Sequence, residues 1–224
     1  MHKVSALRVL TWNLYHGRSR PPSGRSLLNE FAAALDGWAW DVALLQEVPP
    51  WWPPMLARAC RAQQRTRLTS RNWLLPARRA VSARNPDILK SGGGGANAIL
   101  VRGLVLEHRA LRLRRAPEGR WVHGVRLEDG AWAVNVHSQN RPEALALADT
   151  RKAIAAARSW AAGAPLILGG DINLKRPPEF PGLVHLGGNH VDHLFTDGRP
   201  AARRREVIER GPLSDHPPVA VTLA

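Results

Sequence analysis

Six separated stretches of the sequence end in residues able to bind a cation or move a proton. They carry Asn13, Glu47, His137, Asp171 with Asn173, Asp192, and the adjacent Asp215 and His216. Each follows or precedes a short apolar run, such as "VALL" before Gln46 and Glu47 or "LIL" before the "GGDIN" segment. A charged group at the end of an apolar run is costly if buried and unpaired. One such ending is noise, but six point to a common site where strand ends converge. Asp171 and Asn173 stand two apart, so an extended chain presents both on one face. That pair can hold an attacking water and a phosphoryl oxygen together. Glu47 is a hard oxygen donor of the kind that suits magnesium. Cys60 is the only cysteine, which leaves too few soft donors for a zinc cage and permits no internal disulfide.

The elements that must carry these residues follow from periodicity and breakers. Strands are expected at 7–14, 41–48, 72–76, 96–103, 104–113, 120–128, 131–139 and 164–174. Further strands are expected near 191–196 and 217–223, with a short one at 204–208. Helices are expected at 26–39, 51–64 and 141–162, the last with no breaker. Residues 128–130 read as a hairpin turn, and 82–95 as a Gly-rich loop. Helices mixed with hairpins predict one α/β domain over residues 1–224.

Composition sets the outer bounds. The chain has 224 residues, 44% of them apolar, enough for a sizeable core. It lacks a secretory-type start and any apolar stretch of membrane-spanning length, which predicts a cytoplasmic protein with no membrane insertion. The net charge is +14, and of the 32 basic residues only Lys3, Lys90, Lys152 and Lys175 are lysines. Such a balance attracts polyanions, although an arginine-rich, lysine-poor bias also arises from nucleotide composition alone. The runs 112–115 and 203–205 would serve as a nucleic-acid track only on the same face as the site.

The order "TWNLYHG", "LLQEV", "NVHSQN", "GGDIN", "VDHLF", "LSDHPPV" resembles the endonuclease/exonuclease/phosphatase superfamily from residue 7 to residue 223. The resemblance implies a four-layered α/β sandwich of two packed, mostly antiparallel sheets with helices outside. It implies hydrolysis of phosphate esters with a divalent metal, usually Mg2+ with Mn2+ as a substitute. Glu47 would be the principal metal ligand, with Asn13 beside it and Asp215 completing the site or orienting a histidine. Asp171 would hold the nucleophilic water and Asn173 the phosphate. His216, paired with Asp192, would stabilise the pentavalent state, and His137 would assist near the leaving oxygen. A phosphodiesterase or nuclease acting on DNA or RNA is the leading expectation. A phosphatase, a lipid phosphodiesterase or a catalytically silent nucleic-acid-binding module stands behind it, and no obligatory protein partner is implied.

The chain departs from the abasic-site enzymes of that family, which carry an acid or amide two residues after the motif's Asn. Tyr15 stands there instead. Outside the main set, Arg84, Lys90 and Trp51 are candidate substrate contacts, and Trp52 is a second candidate for stacking. His193 should point away from Asp192. His16, His123, His185 and His190 read as structural or surface residues.

Overall fold

A computed structural model describes residues 6–69, 72–198 and 202–223. Two six-stranded mixed sheets pack face to face. The first runs β11 (Ala202–Val207), β12 (Val219–Leu223), β1 (Leu7–Asn13), β2 (Val42–Val48), β4 (Ala96–Val101), β3 (Gln63–Leu68). The second runs β5 (Val105–Arg114), β6 (Arg120–Leu127), β7 (Trp132–His137), β8 (Leu166–Asp171), β10 (Asp192–Thr196), β9 (Val184–Asn189). Each sheet has one parallel pair, β1 with β2 and β7 with β8, and all other pairings are antiparallel.

A parallel pair needs a crossover, and a helix supplies each one. α1 (Leu28–Gly37) joins β1 to β2, and α5 (Glu143–Ala161) joins β7 to β8. α1 buries Phe31 and Leu35, four residues apart on one face, and Phe31 packs on Trp12 at 5.0 Å between ring centres. α5 turns a face of small residues, Ala146, Ala153, Ala157 and Ala161, to the second sheet. Both crossovers send their strands the same way, so the C-terminal ends of β1 and β2 and of β7 and β8 lie at matching register. Asn13 pairs with Gln46, and His137 with Asp171.

Alternation then decides which side chains lie between the sheets. Val9, Val42, Leu44, Ala133, Ile167 and Leu194 fill the layer between them. Asn13, His137, Asp171 and Asp192 share their parity and therefore end that layer. Beneath them Gln46 donates to the Asn135 Oδ1 at 2.8 Å, and Asn135 donates to the carbonyls of Leu45 and Ala98 at 2.9 Å. This pair bolts one sheet to the other directly under the site. Gly170 is obligatory, with φ +141 and an added Cβ landing 1.9 Å from the Val136 carbonyl oxygen.

The structure corrects several expected elements. Residues 72–76 lead into α3 (Leu75–Arg84) and are not a strand. The segment 82–95 holds the end of α3, then α4 (Pro86–Leu89) and a 3-10 turn over Lys90–Gly93. Asn85 caps α4 by accepting from the Asp87 N–H. The helix expected at 51–64 is α2 (Pro53–Ala59), after which the chain turns into β3. Two strands, β3 and β9, are new. Both are sheet edges, and the sequences QQRTRL and VHLGGN lack an apolar run because one side meets solvent. No described helix is long and apolar enough to cross a membrane.

Candidate active site

The matching strand ends deliver a cluster whose parts can be followed atom by atom. Asp171 is buried at the end of β8. Its Oδ2 accepts from the Asn13 amide at 2.9 Å, and its Oδ1 accepts from the Asn173 backbone N–H at 3.1 Å. The other end of the Asn13 amide accepts from the Tyr15 N–H at 2.9 Å. Asn13 is thus an orienting bracket for Asp171. Asp192 lies opposite Asp171 on β10 and holds His216 through Nδ1 at 2.7 Å. His216 is itself seated by its backbone: its carbonyl accepts from the Trp12 indole at 2.8 Å, and its N–H donates to Ser214.

Charge is divided unevenly among these groups. Burial alone would lower His216, but the Asp192 hydrogen bond and the surrounding carboxylates raise it to about 10. His216 is therefore an imidazolium at neutral pH. Burial raises Asp171 to about 7, helped by the nearby Asp192 charge, and burial also raises Asp192. His137 goes the other way. Burial and the Arg120 guanidinium, 3.0 Å from both ring nitrogens, hold it well below the ordinary range. Arg120 in turn pairs with Glu118.

Glu47 closes the cluster from the first sheet. Strict alternation would send it with Ala43 and Leu45 towards the helices. Its φ of +48 and a register break between Leu45 and Val48 turn it to the mouth. There its carboxylate lies 3.1 Å from His16 and 3.9 Å from His137, and His137 lies 3.6 Å from Asp171. Burial would raise Glu47, but facing imidazoles, His16 above all, hold it well below the usual carboxylate range. Tyr15, His16, Asn173 and Ser214 also have φ near +50 to +63. Non-glycine residues pay for that conformation, and such outliers gather at functional sites.

Two lobes form the groove above these groups. The inner lobe, about 420 Å³, is lined by Glu47, His137, Asp171 and His216. The outer lobe, about 1190 Å³, shares Asn173, Asp215 and His216 with it and adds Arg20, Lys175 and Arg176. Asp215 pairs with Arg20 at 3.1 Å. Among the described residues, Asp171, Asp192 and His216 bring ligand-type atoms within 4.8 Å of one another. In that trio His216 Nδ1 is already taken up by Asp192 at 2.7 Å. The Glu47 side fits a divalent cation better. It offers an ionised carboxylate, and Asp215, whose buried Oδ1 accepts no hydrogen bond and lies 3.7 Å from His216 Nε2, lines the same inner lobe.

The expected residues do not all gather. Asn13, Glu47, His137, Asp171, Asn173, Asp192, Asp215 and His216 do. Lys90 and Trp51 line a separate small recess, together with His16. Arg84 stands exposed on the last turn of α3. Trp52 is buried against Phe31 and is core, so it has no face for stacking. Four arginines of the two runs are engaged elsewhere: Arg112 over Trp121, Arg114 with Asp149, Arg204 with Glu206, and Arg205 with the Gly188 carbonyl. The side chain of Arg203 lies outside the described residues. His193 does point away from Asp192, and its Nε2 donates to the carbonyls of Leu174 and His190, at 2.9 and 3.2 Å.

Sequence reasoning missed three participants. His16 faces Glu47, although its position one residue before Gly17 in the first motif was a usable signal. Arg120 has no local signal, because only the β6–β7 pairing carries it to His137. Arg20 reaches Asp215 through a loop. Tyr15 packs under the Arg18 guanidinium at 3.6 Å, and its hydroxyl accepts from Arg20, the partner of Asp215.

A model of the Endonuclease/Exonuclease/phosphatase family matches residues 10–216, nearly the whole span of these contacts. The chain belongs to that family. Solved structures share the fold at low identity. A family protein from Bacteroides vulgatus superposes with a TM-score of 0.76 at 14% identity, covering 98% of this chain and 99% of its own. A mannosyl-6-phosphatase from Bacteroides thetaiotaomicron gives 0.74 at 16%, covering 97% and 99%. Truncated Caenorhabditis elegans TDP2 gives 0.69 at 16%, covering 99% and 98%. No curated protein matches the sequence.

Proposed function

We infer that this family member is a divalent-metal-dependent hydrolase of phosphate esters, with phosphodiesters, DNA or RNA foremost. The observation that carries the reading is His137, whose Nε2 stands 3.9 Å from Glu47 and 3.6 Å from Asp171. One imidazole thus ties a cation-binding carboxylate to a water-binding one. Glu47 would hold the cation in the lobe that Asp215 also lines, and the bound cation would supply positive charge for the scissile phosphate. Asp171 orients a water and takes its proton, and a carboxyl raised to about 7 is matched to that task at neutral pH. The His216 imidazolium, fixed by Asp192, offers positive charge to a phosphoryl oxygen as charge grows there. Asn173 lines both lobes beside it. Neutral His137 donates a hydrogen bond near the leaving oxygen and is not required to supply a full proton.

The outer lobe favours an extended substrate. Arg20, Arg141, Lys175 and Arg176 line it, so a chain of phosphates running past the cleaved one would meet fixed positive charge. A phosphomonoesterase is the second reading, favoured by the near-complete overlay on a mannosyl-6-phosphatase. The test is a panel of plasmid DNA, single-stranded DNA, RNA, a small aryl phosphodiester and a phosphomonoester, each with Mg2+ or Mn2+. Nucleic-acid cleavage that falls steeply with salt, beside a salt-insensitive aryl diester, supports the first reading. Preference for the monoester selects the second. Nucleic-acid binding without hydrolysis of any panel member defeats both.

A further inference from the structure

His16 reads as a bystander in the sequence, yet its ring is built into the cation side of the groove. Its Nδ1 lies 3.2 Å from the carbonyl oxygen of Gly94. A carbonyl oxygen only accepts, so Nδ1 carries a hydrogen at that contact. That leaves Nε2 aimed at Glu47 Oε2, 3.1 Å away. A proton between the two atoms makes this contact an ion pair, and a cation held by both makes it a shared metal site. Two adjacent ligands of an octahedral ion at about 2.1 Å stand about 3.0 Å apart, the spacing seen here. Ligating histidines characteristically donate their other ring N–H to a backbone carbonyl, which is what Gly94 receives.

The Gly-rich segment gains a purpose from this contact. Gly94 has φ +91, a conformation that favours glycine, and it turns its carbonyl towards the ring. A Cβ on Gly95 would sit 3.5 Å from His16 Cε1 and 2.9 Å from Thr69 Oγ1, so a side chain there would crowd the ring. His16 is itself held at φ +55 in a short 3-10 turn. Several costly backbone choices converge on one ring orientation.

Resting on the metal-dependent reading, we propose that His16 is a metal ligand alongside Glu47, giving a mixed nitrogen–oxygen centre that prefers a first-row transition ion to magnesium. Magnesium takes oxygen donors and keeps its waters, whereas imidazole suits the transition series. The preference is therefore a property of this chain's own residue before Gly17.

The test uses Mn2+ alone, with Mg2+ as competitor, on the full chain. Pulsed electron paramagnetic resonance of the Mn2+-loaded wild type should show nitrogen-14 modulation from a directly bound imidazole. His16→Ala and His16→Asn, each checked for fold by circular dichroism, should lose that modulation. Their Mn2+ affinity should fall about 10-fold or more, and the preference over Mg2+ should narrow. Mn2+ bound by the wild type without nitrogen modulation overturns the proposal, whatever the variants do. So does a folded His16 variant that keeps both modulation and affinity. A wild-type chain that binds neither ion overturns the metal-dependent reading beneath it as well.

Discussion

The two sides of the groove are built by different means. On one side Asp171 and Asp192 are buried in strand register, and Asp192 holds the half-buried His216 by a hydrogen bond. On the other, Glu47 and His16 owe their directions to left-handed backbone, a register break and the carbonyl of a glycine turn. Strand geometry makes the first side rigid and simple. The second side is held by loops, and its contacts are longer, 3.1–3.9 Å against 2.7 Å for the His216–Asp192 pair. Chemistry that must stay put rests on the sheet, and the part that must admit a cation rests on adjustable segments.

The strongest way to break this division is to remove the sheet side. Asp171→Asn or His216→Ala is expected to lower turnover about 10²- to 10⁴-fold with circular dichroism unchanged. Near-normal turnover of either purified variant would take the acid–base work away from that side. Glu47→Gln probes the opposite wall. It should abolish the rise in melting temperature that Mn2+ gives the wild type, since only bound ligand stabilises the native state. A retained shift would place the cation elsewhere.

Smaller changes sharpen the comparison. Gly94→Val should shift the loop whose carbonyl contacts the His16 ring and weaken Mn2+ binding about 10-fold, leaving the Asp192–His216 pair intact. Equal affinity by calorimetry would deny the loop that role. Replacing Arg141 and Arg176 with Ala should raise KM for DNA, flatten its salt dependence and leave a small aryl diester unchanged.

The smallest effect is on stability. His216 is raised from 6.5 to about 10, so its pairing contributes stability that is full below pH 6.5 and lost as pH rises through about 10. The gap in urea midpoint between wild type and His216→Gln should therefore be wider at pH 6 than at pH 10.5. A gap that is constant or grows with pH contradicts the charge assignment.

This same division governed what could be read in advance. Asp171 at the end of an apolar run, and Asp192 facing opposite to His193, follow from strand alternation, which one sequence displays. Asn173, by contrast, lies past the end of β8 at φ +56 and is placed by a turn that strand spacing does not foretell. Glu47 was found because four apolar residues precede it, even though alternation alone would have aimed it at the helices. His16 was discounted because its role needs Gly94, 78 positions away, to fix the ring. Arg120 depends on the hairpin register that carries it to His137. The arginine runs misled for a related reason: charge is visible in a sequence, but whether it is already paired is not. Edge strands β3 and β9 escaped notice because solvent on one side removes the apolar signal.

The account as a whole requires both walls of the groove to act on one phosphate. A kinetic cycle of wild type, Glu47→Gln, Asp171→Asn and the double variant, assayed on an aryl phosphodiester with saturating Mn2+, tests this directly. Groups serving one transition state are strongly non-additive. The double variant should be about as slow as the slower single variant. Losses that multiply in the double variant would mean that the two walls act independently, and the single-centre account would fall.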